Sequence, residues 1–494
     1  MSRGSSSHGV FTEAPVAAPR WGEARDSGPS VFLQALEKAG GERLLASPGD
    51  EAEDGPGSDR LAVDLAPVPA PVAPWLADSE AAADDDEALA STSASFSVDL
   101  GARDVPLRAR GLLNEGNTCY VNAVVQALFG CASFAGFLSR VDAKGRRKGY
   151  SSTNSLREFV ALYKEFEEPP PGAFASRKGG GAVNPLPILR GLLDAFLETT
   201  GGARGQQQDA HEFITFALNT LAEEVAQAQI KEEEEVRDES AVEERDGEDD
   251  EWEVVGRGGQ SAVTRVVGTS EASPLSPDAI TRIFGGQLRS VRTARGMGRS
   301  ATVEPFFVLP LEVYHAECSD LEAALLAFSR PEQLDDFKDP DTGETVDATM
   351  QTQVLRLPAV MVLALKRFAF GYEGGYKLDR PVDFPAHLTL PRQLLAEGWA
   401  AADAAVRGED FAADWAEGEG GLPEYELAAV VRHHGEGMAR GHYTADVRAP
   451  DAPGQGGRVW RRYDDSAHYQ MGDTDVLTDD KGDAYMLVYR RCKN

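Results

Sequence analysis

The sequence is short of cysteine and short of positive charge. Its four cysteines, Cys119, Cys131, Cys318 and Cys492, stand far apart and none falls in a C-x-x-C pair. That spacing argues against a thiolate zinc site and against a disulfide framework, and it fits a reducing compartment. Lys and Arg number 49 against 81 Asp and Glu, a net charge of −32. Too few cations are present to neutralise phosphates, so neither nucleic acid nor an anionic membrane surface is expected as a partner. No apolar run reaches the roughly 18 residues of a membrane span. The opening MSRGSSSHGVFTEAP lacks an apolar signal core, and Glu13, Glu23 and Asp26 count against a transit peptide. A cytoplasmic location is expected, with the nucleus as a second compartment.

What is present divides the 494 residues in two. Residues 1–104 are rich in Ser, Gly, Pro, Ala and acids, with a polyproline-like APVPAPVAPW at 66–75, and are expected to be disordered. Regular apolar patterning then runs from 105 to 494, interrupted twice. The stretch 231–253, KEEEEVRDESAVEERDGEDDEWE, carries fourteen acids against three bases. It reads as a solvated acidic insert running to about 275. An Ala-, Gly- and acid-rich stretch at 399–422 reads as a second insert. Helical spacing marks 118–129, with Val121, Val124, Val125 and Leu128 on one face, and 211–228. Strand-like runs follow at 288–293, 305–313, 360–368, 425–434, 442–448, 459–465 and 484–491. Helices first and strands later predict an α+β fold.

The segment GLLNEGNTCYVNAVVQALF (111–129) is the sharpest chemical signal. Gly111 and Gly116 bracket a turn, and Asn117 and Thr118 are placed to cap a helix beginning at about Cys119. A sulfur at a helix N-terminus is favoured as thiolate. Asn114, just upstream, offers an amide to a developing oxyanion. Cys131 and Cys318 lack such a context and read as buried apolar residues. A cysteine nucleophile needs a base and a group to orient that base. His442 opens a strand after a glycine-rich turn and is the best-placed base, with His433 and His434 as alternatives. A metal set of these three histidines is disfavoured, because no carboxylate or cysteine sits at ligand spacing. Asp464 and Asp465 follow at a distance that suits a returning strand, from which a carboxylate reaches the imidazole. In GQQQDAHEF, Asp209 and Glu212 fall in the first turn of the second helix, where acids complement the dipole.

Together GLLNEGNTCYVN, QQDAHEF, LALKRF, GHYTADV and YDDS resemble the ubiquitin-specific proteases, the thiol deubiquitinases, over roughly 107–491. Finer segments such as DDEWEVVG, ITRIFGGQLRSV and ATVEPFFVLPLEV resemble one branch of that family. The resemblance implies a papain-like cysteine-peptidase fold of thumb, palm and fingers, hydrolysing the bond after the C-terminal glycine of ubiquitin. It implies Cys119 as nucleophile, His442 as base, Asp464 as orienting acid, Asn114 as oxyanion donor and Asp465 as a second acid. It further implies Asp209 and Glu212 as contacts to the ubiquitin tail and Tyr443 as an aromatic lining its channel. Ubiquitin and ubiquitylated proteins are the implied partners of a monomer. Many relatives bind zinc in the fingers through two C-x-x-C pairs, absent here between Gly285 and Gln353, so neither metal nor cofactor is expected.

Overall fold

The computed structural model describes residues 107–492 apart from 146–153, 168–180, 244–277, 296–298, 316, 340–341, 372–373, 408–420, 438–439 and 450–458. The region 1–104 and most of the acidic stretch therefore lie outside the described residues.

The first half is helical: α1 (Cys119–Phe129), α2 (Ala132–Gly145), α3 (Asn154–Lys164), α4 (Arg190–Thr200), α5 (Ala210–Glu243) and the short α6 (Ala279–Phe284). Every residue of α1 is buried, not only its Val and Leu face. The reason is its position between the other helices and the main sheet. Its two central polar residues find partners there. Asn122 donates to Asp465 Oδ1 at 2.8 Å and Gln126 donates to the Arg110 carbonyl at 2.8 Å. The amide nitrogens satisfied in this way avoid the cost of about 1–3 kcal/mol that an unpaired donor carries, whereas Asn122 Oδ1 has no hydrogen-bond partner among the described residues. Tyr120 meets Phe213 edge-on at 5.5 Å, and Phe213 meets Phe196 at 5.4 Å. These contacts lock α1, α4 and α5 together.

The acidic stretch departs from expectation at its start. α5 continues to Glu243, so 231–243 is helix rather than loop. Glu, Lys, Arg and Ala are strong helix formers, and that propensity outweighs the repulsion on which the loop reading rested. Likewise 399–407 is no loose insert. It forms α8 (Trp399–Arg407), with Trp399 in the core and Asp403 paired to Arg491.

After α6 the chain builds two sheets. The fingers hold β1 (Gly286–Ala294), β2 (Arg299–Phe306), β4 (Glu332–Leu334) and β5 (Ala348–Arg356) in the antiparallel order β2-β1-β5-β4. The helix α7 (Leu321–Phe328) precedes β4. The palm holds β3 (Val308–Glu312), β6 (Val360–Lys366), β10 (Glu424–Gly437), β11 (Arg440–Arg448), β12 (Trp460–Asp464), β13 (Ala467–Met471) and β14 (Ala484–Arg491). Their order is β13-β12-β11-β10-β14-β6-β3, with β9 (His387–Thr389) flanking β10. A small hairpin, β7 (Phe368–Gly371) with β8 (Gly374–Lys377), and α9 (Asp473–Thr478) complete the described elements.

The palm sheet is covered on both faces. Val360, Val362 and Ala364 of β6 join the helical core, while Met361, Leu363 and Leu365 join a second core behind the sheet. This is why VMVLALK reads as an unbroken apolar run instead of alternating. Two buried arginines close the sheet's lower end. Arg432 donates to Asp446 at 2.7 Å and to the carbonyls of Val476, Asp479 and Asp480. Asp446 is also gripped by Arg462 at 2.5 and 2.8 Å. Arg367 donates to the carbonyls of Leu378, Arg380, Lys481 and Ala484.

Candidate active site

The turn before α1 sets the sulfur's position. Gly116 and Asn117 adopt positive φ, 81° and 62°, and bring the chain round so that Cys119 is the first residue of α1. The capping differs from expectation. Thr118 is the N-cap residue but its side chain makes no cap bond. Asn114 Oδ1 instead accepts the Thr118 N–H at 2.8 Å. Asn117, turned away by its left-handed backbone, donates to the Gly205 carbonyl at 2.8 Å. Cys119 is 2 % exposed.

The imidazole arrives from the other end of the chain. In the β10–β11 pair, His434 stands opposite His442 and His433 opposite Tyr443. His442 Nε2 lies 2.6 Å from Asp464 Oδ1, at the end of β12. Its ring is also hydrogen-bonded to Cys119. The bond to Cys119 is the main cause that raises the His442 pKa to about 9, opposed by burial and helped by Asp464 and Asp465. The imidazole therefore carries a proton at neutral pH.

Asp465 has a different environment. It sits in a turn at φ 49° and its oxygens accept from Asn114 Nδ2 at 2.9 Å and from Asn122 at 2.8 Å. Its carbonyl accepts the Leu112 N–H at 2.8 Å. The strand Gly111–Leu113 runs so close to this turn that a Cβ on Gly111 would lie 2.2 Å from the Ser466 carbonyl oxygen. Asp465 thus fixes the Asn114 amide, whose nitrogen has a second N–H to donate. It stands 4.0 Å from His442 Nε2.

The remaining expected residues divide. Asp209 caps α5, accepting the His211 N–H at 2.6 Å, and both its oxygens accept from the Tyr485 hydroxyl at 2.6 and 2.7 Å. Glu212 lies one turn on, its pKa raised by burial and then by the charge of Asp209. Tyr443, the expected channel aromatic, is turned inward. It is 2 % exposed and packs beneath the site on His433, ring centres 4.7 Å apart. His433 is wholly buried, and His434 is held between Asp483 and Thr444 at 2.8 and 2.9 Å, so His442 is the one of the three bonded to Cys119.

Folding also assembles carboxylates around histidines that lie far from them in sequence. Ligand atoms of His434, Asp480 and Asp483, and those of His442, Asp464 and Asp465, fall within 4.8 Å of one another. Asp483 is already bonded to the Lys377 ammonium at 2.5 Å, so the first group has its cation. The second is occupied by the bonds just described. A cavity of about 300 Å³ opens beside the turn before Cys119, between Glu115, Tyr120, Leu193 and Arg204.

Comparisons with known proteins bear on this arrangement. The family model described as ubiquitin carboxyl-terminal hydrolase matches residues 110–489. Ubiquitin carboxyl-terminal hydrolase 24 of Arabidopsis thaliana is 32 % identical over 392 residues, 77 % of this chain and 64 % of that protein. Ubiquitin carboxyl-terminal hydrolase 10-A of Xenopus laevis is 31 % identical over 421 residues, 80 % of this chain and 50 % of that protein. The chain thus spans from half to under two thirds of the length of these relatives. In fold, it resembles a chain of the SAGA Ubp8/Sgf11/Sus1/Sgf73 DUB module bound to ubiquitin aldehyde. That match has a TM-score of 0.53 at 22 % identity and covers 79 % of this chain and 71 % of the other.

Proposed function

The chain belongs to the ubiquitin carboxyl-terminal hydrolase family, and from that premise we propose that it is a thiol hydrolase cleaving the peptide or isopeptide bond after the C-terminal glycine of ubiquitin. The observation that carries the reading is the line Cys119–His442–Asp464, drawn together from positions more than three hundred residues apart.

In the proposed reaction the Cys119 thiolate, paired with the His442 imidazolium, adds to the glycine carbonyl carbon. Negative charge passes to the carbonyl oxygen, where Asn114 and backbone N–H groups at the start of α1 receive it. The C–N bond then breaks, and the departing lysine amine takes its proton from His442. Neutral His442 next accepts a proton from water, which attacks the thioester. Breakage of the C–S bond frees the ubiquitin carboxylate and restores the ion pair.

Burial of Cys119 supports a substrate that ends without side chains, since only glycine backbone fits where Cβ atoms would collide. Affinity then comes from surface far from the reacting bond. Negative charge at the start of α5 suits the arginines of the ubiquitin tail. Of the two acids, Glu212 is freer to meet them, because Tyr485 holds Asp209. Ubiquitylated proteins are the proposed substrates of a monomeric, metal-independent enzyme.

The test is turnover of a fluorogenic ubiquitin amide by the full chain beside its Cys119→Ala variant. Wild-type turnover abolished by the substitution supports the reading. Undiminished turnover by the variant rejects it.

A further inference from the structure

We propose that Gln207 is the positioning residue for His442, tying the start of β11 to the helical half of the molecule. The proposal deepens the hydrolase reading and rests on it, because it assigns a role within that site.

Gln207 precedes the Asp209 cap of α5 by two residues, and its carboxamide crosses from the helices to the sheet. Oε1 accepts the backbone N–H of Gly441 at 2.9 Å, and Nε2 lies 3.5 Å from His433 Nε2. Gly441 is the residue before His442, so one side chain holds the peptide from which the imidazole departs.

The backbone of that segment has strand support on one side only. β12 pairs with β11 only from Ala445 to Arg448. Residues 440–444 are paired on the β10 side alone, and there the register breaks between His434 and Gly437. His442 thus stands beyond the two-sided part of the sheet, with the Gly441 N–H opposite the irregularity. Gln207 takes the N–H that the ladder leaves.

The donor pattern allows one arrangement. The Gly441 N–H can only donate, so the Gln207 oxygen must face it and the amide nitrogen must face His433. His433 Nε2 must then accept, which places the ring proton on Nδ1. The fit has no slack. A Cβ on Gly441 would lie 2.2 Å from His433 Nε2. His433 is itself fixed among Phe368, Tyr443 and Tyr485, at 5.2, 4.7 and 6.3 Å between ring centres. Burial first, then the Lys377 charge, lowers its pKa to about 4, with His434 lowering it further and Asp483 and Asp379 opposing. The ring is therefore a neutral acceptor across the working range. Its Nδ1 has no hydrogen-bond partner among the described residues, so the proton it holds could move to Nε2 without breaking a bond there, but only if the group facing Nε2 became an acceptor.

This geometry separates three variants of the full chain. Gln207→Ala removes the tie. Gln207→Met keeps the volume without the polar atoms. Gln207→Glu keeps an acceptor for Gly441, and His433 can meet its second oxygen by moving the ring proton to Nε2. With a fluorogenic ubiquitin amide, Ala and Met are expected to lose about 10- to 100-fold in kcat, with KM within about threefold. Glu should recover to within about fivefold of wild type on the same scale. A second readout needs no ubiquitin: the iodoacetamide alkylation rate of Cys119 between pH 6 and 8, followed by mass spectrometry of its peptide. Ala and Met should slow it and move its pH profile toward that of a free thiol, while Glu should not.

The proposal is overturned if Ala or Met leaves kcat and alkylation unchanged, if the loss falls on KM alone, or if folded Glu is as impaired as Ala. Should the wild type cleave no ubiquitin substrate, the hydrolase reading fails. The alkylation profiles would still decide whether Gln207 positions the imidazole.

Discussion

Replacing Asp464 by Asn tests the electrostatics of the site most directly. Asp464 Oδ1 lies 2.6 Å from His442 Nε2, so the substitution removes a charge-assisted hydrogen bond and leaves a neutral one. Such bonds contribute about 1.5–3 kcal/mol against about 1 for a neutral pair. The pair is 36 % and 48 % exposed, so solvent screening holds the difference to at most about 1.5 kcal/mol. That corresponds to about one pKa unit on the imidazole. Asp465 stays 4.0 Å from Nε2 and keeps part of the field. The His442 pKa is raised to about 9, so the imidazolium is lost as pH rises through that value. The associated stabilisation of the fold is complete below about pH 6.5, the unfolded histidine value, and gone above about 9. A profile of kcat/KM from pH 5 to 10 on a fluorogenic ubiquitin amide should therefore show an alkaline limb near 9 for wild type. Asp464→Asn should move that limb down by about one unit and lower kcat/KM at pH 7.5 about tenfold. A limb that stays in place, with kcat/KM within about twofold of wild type, would refute the assignment of Asp464 as the ring's partner.

Three further outcomes are expected. Asp465→Ala takes the carboxylate acceptor from the Asn114 amide and leaves the Asn122 amide only the Leu112 and Leu113 carbonyls at 3.3 Å. It should lower stability by about 1–3 kcal/mol in urea melts and kcat by about 10²-fold, whereas a variant with wild-type kcat would remove Asn114 from the oxyanion role. Arg432→Met strips a buried donor from three carbonyls and from Asp446. It should cost about 3–5 kcal/mol by the same melts, and a loss under about 1 kcal/mol would contradict the proposed weight of that cluster. Prolonged treatment with a strong chelator should change neither melting temperature nor turnover, since the finger segment carries no C-x-x-C pair. A chelator-induced fall in melting temperature would reveal a structural metal.

Much of the site is legible along the chain because its parts sit at ends of elements, where sequence signals are strongest. Cys119 follows a turn of Gly and Asn, His442 follows a glycine-rich turn, and Asp464 closes a strand. What was missed depends on contacts across the fold. The Gln207 bond to Gly441 and the Asn114 bond to Asp465 join residues that nothing in the sequence pairs. Gln207 sits within a run of three glutamines, and only the folded chain singles it out. The inward placement of Tyr443 follows from strand geometry. Strand residues alternate sides, so with His442 facing the cleft its neighbour must face the core. Charge density misled at 231–243, where helix propensity decides the backbone. β5 escaped notice because ATMQTQVLR is polar and mostly half-buried, a pattern without period two.

The placement of β14 has a consequence for biosynthesis. Residues 484–491 thread between β10 and β6, in the middle of the palm sheet. While the ribosome is still adding them, the two flanking strands have no shared neighbour and the imidazole has no stable frame. A nascent chain would therefore carry the Cys119 thiol without its assembled imidazole partner until residues 484–491 had paired with both flanking strands. Deleting residues 484–491 should therefore abolish turnover as thoroughly as removing the sulfur.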